Sequence, residues 1–171
     1  MRLGEVECGE VVKIGNRDFY VLNQGSGATA VLVKDPVAHM KFGGGGDWRY
    51  SDVRKFCNTV FYQELIKTIG KDNLFYHTVS LIADDGTGKG DFCRDDISIL
   101  TANLYRRYRA FLPNMGGSAW MTATRVSSDE TTTFSHWICH VDPRGVLGWS
   151  TCDNELDVRP YCILNSSILV S

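Results

Sequence analysis

No stretch of this chain approaches the roughly 18–20 consecutive apolar residues that a membrane-spanning helix requires. Neither sign of charge dominates. Eighteen Lys and Arg face twenty Asp and Glu, for a formal net charge of −2. There is thus no global basic field to recruit nucleic acid, and neither direct nucleic-acid binding nor membrane association is expected. No C-x-x-C pair exists among the six cysteines, which excludes the commonest zinc-ribbon and thioredoxin patterns. The G-x-S-x-G nucleophile elbow and the dinucleotide fingerprint are also missing. The one glycine run, Gly43–Gly46, lacks the Lys-Ser/Thr of a phosphate loop and is expected to be a flexible connection. There are no internal repeats. The first residues, Met1-Arg2-Leu3-Gly4-Glu5-Val6-Glu7, have no apolar core of the kind an export signal needs. A cytoplasmic setting and reduced thiols at Cys8, Cys57, Cys93, Cys139, Cys152 and Cys162 are therefore expected.

What is present is a balanced composition. The 171 residues are 43% hydrophobic and 22% charged, enough for one domain with a real core. Val11-Val12-Lys13-Ile14 and Phe19-Tyr20-Val21-Leu22 flank Gly15-Asn16-Arg17-Asp18 and predict a hairpin. With Ala28 to Val33 they form a β meander over 9–35. Residues 51–69 predict a helix: Val53, Phe56, Cys57, Val60, Phe61, Leu65 and Ile69 recur at three- and four-residue spacing. Ser51 or Asp52 would cap it and Gly70 would end it. Leu74 to Ile82 is expected to be extended. A second helix is predicted over 101–112, with Thr101 as N-cap, a stripe of Leu104, Tyr108 and Phe111, and Pro113 beyond its end. The cluster Arg106, Arg107 and Arg109 falls at its C-terminus, where cations complement the helix dipole. Residues 118–171 are β-rich, with strands expected near Trp120–Val126, Thr131–Val141, Gly145–Trp149 and Val158–Val170, and a turn at Asp142-Pro143-Arg144-Gly145. The layout is α+β.

Chemistry-bearing residues are sparse. His136, Cys139 and His140 would share a face on a helix, but their surroundings are β-branched and aromatic. On a strand the two histidines would lie about 13 Å apart, at about 3.3 Å per residue, with Cys139 on the opposite face. A zinc site would then need ligands from elsewhere, such as Cys152, Cys162, Cys93 or His77. No resident cofactor is expected, zinc being the alternative. The loop Asp84–Asp91 fails the EF-hand spacing and, with Gly90 after Lys89, the Walker pattern. The adjacent acids Asp84/Asp85 and Asp95/Asp96 are expected to be solvated. No Cys–His pair is selected by spacing. Trp149, in a turn-rich stretch before Asp153-Asn154-Glu155, is the tryptophan expected to be exposed, as protein-binding hot spots are.

Four segments carry a family resemblance. They are Trp48, Ser51, Val53 and Arg54; Leu100-Thr101 with Tyr105 and Arg106; Trp120-Met121-Thr122-Ala123-Thr124; and Val158-Arg159-Pro160. In this order they resemble a family of small domains common in Firmicutes and their phages and prophages, over about Gly9 to Leu169. The chain departs from that pattern at Met121 and Ala123, where the family has a second aromatic and an arginine, and at Asp157, where it has glycine. The resemblance implies a C-type-lectin-like fold, a mixed antiparallel β core with two helices and a loop-rich recognition face. It is similar in shape to formylglycine-generating enzymes and phage receptor-binding proteins, but their catalytic cysteines and the calcium-and-sugar tripeptides of lectins are not recognisable here. Trp48, Arg54, Thr101, Trp120, Arg159 and Pro160 would be the fold motif. The expectation is a non-enzymatic, phage- or prophage-type protein-binding module. It would be an intracellular inhibitor of a host defence protein such as a CRISPR effector, contacting it through Arg125, Trp149 and Asn154. The alternatives are a metal-dependent enzyme on the same fold, using His136, Cys139, His140 or Cys152, and a virion adhesin.

Overall fold

The computed structural model describes residues 1–171. In chain order its strands are β1 (Val11–Ile14), β2 (Arg17–Gln24), β3 (Ala28–Val33), β4 (Ala38–Lys41), β5 (Leu74–Phe75), β6 (His77–Ser80), β7 (Phe92–Asp95) and β8 (Ser98–Ile99). There follow β9 (Trp120–Arg125), β10 (Trp137–Val141), β11 (Leu147–Thr151), β12 (Glu155–Val158) and β13 (Pro160–Asn165). One helix runs from α1 (Asp52–Phe56) through a π turn (Cys57–Phe61) into α2 (Tyr62–Ile69), and the other is α3 (Ala102–Tyr108), extended by a 3₁₀ turn at Arg109–Phe111. No helix is long and apolar enough to cross a membrane. The fold is α+β.

The first sheet has the order β1-β2-β3-β13-β5, with β8 also on β13; the second has the order β11-β10-β9-β12-β4; β6 and β7 pair separately. Every pairing is antiparallel except β12 with β9. Period-2 alternation gives the first sheet two buried faces. Val12, Ile14, Val21, Val31, Cys162 and Leu164 face the main core, together with the long helix and residues of the second sheet such as Met121, Ile138 and Val158. Tyr20, Leu22, Ala30, Leu32 and Tyr161 face α3 and Trp120.

The long helix begins as expected, with the Ser51 hydroxyl accepting from the Arg54 amide, and ends at Gly70 with φ +80°. Its buried stripe is Val53, Cys57, Phe61 and Leu65, whereas Val60 is exposed. The π turn explains this correction. It holds more residues per turn than an α turn, so the stripe advances by fours and Val60 rotates into solvent. Asn58 closes the widened turn. Its Nδ2 donates to the Arg54 and Ile97 carbonyls at 3.0 and 2.8 Å, and its Oδ1 accepts from the Ile97 amide at 3.1 Å. The α3 stripe differs too. Ala102, Tyr105 and Tyr108 are buried and Phe111 is exposed, because the 3₁₀ turn changes the angular step after Tyr108.

Three β expectations are corrected. The segment after Pro36 forms β4, paired with β12 from Ala38↔Val158 to Lys41↔Glu155. Residues 133–136 form a 3₁₀ turn before β10, so His136 is not on that strand. The strand expected over Val158–Val170 runs only from Pro160 to Asn165 as β13 in the first sheet, and Val158 instead ends β12 in the second. Arg159 is therefore the corner between sheets, 4% exposed, its guanidinium carbon 5.6 Å from the centre of the Trp120 ring. Proline at the first position of a strand costs no ladder bond that the corner would have kept.

Candidate functional site

The Trp48-to-Arg54 segment is a structural knot. Its anchor is Asp95 at the end of β7, 7% exposed. Asp95 Oδ2 accepts from Trp48 Nε1 at 2.8 Å, and its Oδ1 accepts from Arg54 Nε at 2.8 Å. The Cys93 thiol lies 3.5 Å from Oδ2. Asp95 is thus not the solvated acid expected of an Asp-Asp pair. A shallow polar cavity of about 510 Å³ opens over this knot, but its guanidinium groups are committed: Arg54 to Asp95 and Arg49 to Asp47 at 2.7 Å. It is framework more than binding site.

A second cavity, about 290 Å³, has different chemistry. Asp84 and Asp85 on the β6–β7 connection and Asp129 after β9 bring three carboxylates to it, and Phe134 and Trp149 supply aromatic walls. The loops are pinned to the second sheet. The Asp84 and Asp85 amides donate to the Arg125 and Val126 carbonyls at 2.9 and 3.0 Å, and the Ser128 amide donates to Thr87 Oγ1 at 2.7 Å. Asp85 Oδ1 accepts from the Thr87 amide and hydroxyl, and Asp129 Oδ1 accepts from the corresponding groups of Thr131. Hydrogen bonds from Ser127 and Thr87 hold the Asp85 carboxyl below the usual range. Those from Thr131 do the same for Asp129, although the nearby Asp85 charge opposes them. Of the three, only Asp84 has a cationic partner, Arg106 Nη2 at 3.1 Å.

Phe134 and Trp149 are 47% and 51% exposed, their ring centres 5.9 Å apart at 64°. The edge-to-face contact holds both rings at the surface instead of folding them inward. Trp149 is the exposed tryptophan that the sequence suggested. The other two contact residues stand apart from it. The Arg125 side chain is 11% exposed and engaged by Glu130 at 2.9 Å and Asp47 at 3.7 Å. Asn154 is exposed on the β11–β12 turn and does not line the cavity. Phe134 and Asp129 were not singled out from sequence, because only the 3₁₀ turn and the loop pairing bring them beside Trp149.

The four zinc candidates are dispersed. His136 is exposed on the 3₁₀ turn, Cys139 packs with Ala102 and Val126, the His140 Nδ1 is 2.6 Å from the Ser150 hydroxyl, and Cys152 lies in the main core. No group of three or more His, Cys, Asp or Glu side chains is arranged to hold a metal ion. Burial pushes the Cys139 thiol up to about 12 and raises that of Cys152. No family model, curated protein or solved structure matches the chain. The lectin-like expectation rests on the motif resemblance alone.

Proposed function

We propose that this chain is a non-enzymatic protein-binding module whose contact face is the cleft walled by Phe134 and Trp149. The carrying observation is the pair of half-exposed rings at the mouth of a cavity that holds three carboxylates. Large aromatic rings kept in water are the usual anchors of a protein interface. An acidic cavity behind them selects a partner that presents a basic segment, whose cation would meet both carboxylates and ring faces. The motif resemblance supplies the context: a phage- or prophage-encoded inhibitor of a host defence protein. The dispersal of His136, Cys139, His140 and Cys152 supports the binding module over the alternative of a metal-dependent enzyme.

The test compares wild type with Trp149→Ala as baits in a Firmicute lysate, after confirming equal thermal melting. A stoichiometric partner held by the wild type, released by the variant and weakened by salt supports this reading. A partner held equally by both baits, or none, overturns it.

A further inference from the structure

We infer that the hollow between α3 and the outer face of the first sheet is a second binding site, for a small organic anion carrying an apolar body. Helix α3 is only seven residues long, so it covers part of that face and leaves the rest open. Where it stops, the sheet carries small residues, Ala28 and Ala30, and a cavity of about 330 Å³ remains. That is the low end of the range for small-molecule pockets. With Leu104 and Ile163, the two alanines give it an apolar lining.

The polar groups at this cavity have few partners within the chain. Asn23, Thr78, Arg107, Tyr108 and Tyr161 all line it. Apart from the mutual approach of the two tyrosine hydroxyls, none of these side chains has a hydrogen-bond partner within the chain. Arg107 has no carboxylate either. Its neighbours in the same segment are both occupied: Arg106 by Asn103 and Asp84, and Arg109 by the Leu112 carbonyl and Asn114. The arginine left free is the one on the cavity, and no acidic residue lines it. Burial and the adjacent Tyr108 hydroxyl hold Tyr161 protonated well above the usual tyrosine range, with one proton of the pair held between the two oxygens.

His77 completes the wall, its ring edge-on to Tyr161 at 5.2 Å. His77 Nε2 lies 2.7 Å from the Ser98 hydroxyl, which also approaches the Ile99 carbonyl at 3.2 Å. His77 Nδ1 is buried and without a partner, on a residue 8% exposed. A guanidinium fork beside the one hydroxyl proton that the Tyr108–Tyr161 contact leaves free recognises a carboxylate or a phosphate, and the apolar lining takes the body that bears it.

The experiment is calorimetric titration of the full chain with benzoate, phenyl phosphate, inorganic phosphate and benzyl alcohol. Binding of benzoate or phenyl phosphate, with benzyl alcohol and inorganic phosphate each weaker by about tenfold or more, is the expected result. The tighter of the two aromatic anions tells carboxylate from phosphate. Arg107→Gln, at an exposed and unpaired position, should weaken binding by about tenfold or more without changing the melting temperature. Ala28→Leu should abolish it by filling the hollow. No binding at millimolar concentration, or affinity unchanged in both variants, would overturn the site. Inorganic phosphate binding as tightly as phenyl phosphate would overturn the apolar half of the assignment. The Trp149 cleft is a separate surface, so failure here leaves the proposed protein contact standing, and the reverse.

Discussion

Asp95 and Arg54 meet through a 2.8 Å hydrogen bond from Nε to Oδ1, and this contact fastens the start of the long helix to the end of β7. The second carboxylate oxygen takes the Trp48 indole, so one buried acid orders both ends of the Trp48-to-Arg54 segment. Asp95→Ala would strand Arg54 and leave the Trp48 N–H without a partner. Removing one member of a fully buried, hydrogen-bonded pair costs about 3–5 kcal/mol, and the 30% exposure of the Arg54 side chain places this pair at or below the low end of that range. A loss of that size is expected in urea denaturation. Trp48→Phe should cost less, because most of the packing remains. A loss below about 1 kcal/mol in Asp95→Ala would show that the pair is not a structural anchor.

The glycine run behaves differently from the flexible connection that its composition suggests. Gly43, Gly44, Gly45 and Gly46 all have positive φ. A Cβ at Gly44 would lie 2.5 Å from the Tyr50 carbonyl group, and one at Gly46 would lie 2.5 Å from the Ser135 carbonyl oxygen. Both are backbone clashes that cannot rotate away. Gly44→Ala and Gly46→Ala should each destabilise by more than the roughly 1–3 kcal/mol of left-handed strain alone. Gly45→Ala meets nothing closer than the His136 ring at 3.6 Å and should cost only the backbone strain. Equal melting temperatures for the three variants would contradict a packed loop.

These corrections show where local sequence stops being informative. The β1–β2 hairpin, the Ser51 and Thr101 caps and the Asp142 turn depend on residues a few positions apart, and they formed as read. The π turn is set by Asn58 reaching Ile97, and the β12–β13 break by two sheets competing for one run of chain. No window of sequence contains both partners. The same holds for the sites. Trp149 was legible as an isolated aromatic among turn residues. Its partner Phe134 and the carboxylate Asp129 were not, because a loop pairing supplies the proximity. Arg107 looked identical to Arg106 and Arg109 until their partners were known.

Thiol reactivity should follow burial. Cys57, Cys139, Cys152 and Cys162 are buried, and Cys8 and Cys93 are partly exposed. Burial and the Asp95 charge push the Cys93 thiol up to about 11, and burial pushes Cys162 up to about 12. The thiolate is the reactive form, so at pH 8 Cys93 should label slowly despite its exposure. Iodoacetamide labelling of the native chain, followed by mass spectrometry, is expected to modify Cys8 first. The four buried thiols should label only after denaturation. Early labelling at Cys139 or Cys162 would mean that the core opens more readily than its packing implies.

Acid should weaken the fold through His77. Burial pushes its pKa down from 6.5 to about 4, and the Asp95 charge offsets this only in part. The unfolded chain takes up the proton near the ordinary value. Between the two values the unfolded state therefore binds more protons, and stability rises with pH. The contribution is complete above about pH 6.5 and lost progressively towards pH 4, amounting to roughly 3 kcal/mol at most. Half-buried His140, also shifted down by burial, adds an effect of the same sign. His77→Gln should flatten the stability profile across this window. An unchanged slope would show that His77 is already charged in the folded chain.

The acidic character of the Trp149 cleft can be read without knowing a partner. Trp48 and Trp120 are 1% and 2% exposed and Trp137 is partly buried, so Trp149 at 51% dominates the quenchable fluorescence. With Asp84, Asp85 and Asp129 beside it, caesium should quench more efficiently than iodide when each is scaled to its quenching of free N-acetyltryptophanamide. Salt should narrow the difference, since exposed charges are screened over about 8–10 Å near physiological ionic strength. Trp149→Phe should remove most of the quenchable signal. Asp85→Asn with Asp129→Asn should bring the two quenchers together while leaving acrylamide quenching unchanged. Stronger scaled quenching by iodide in the wild type would mean that the cleft is not negative where a partner meets it, and the preference for a basic segment would fail with it.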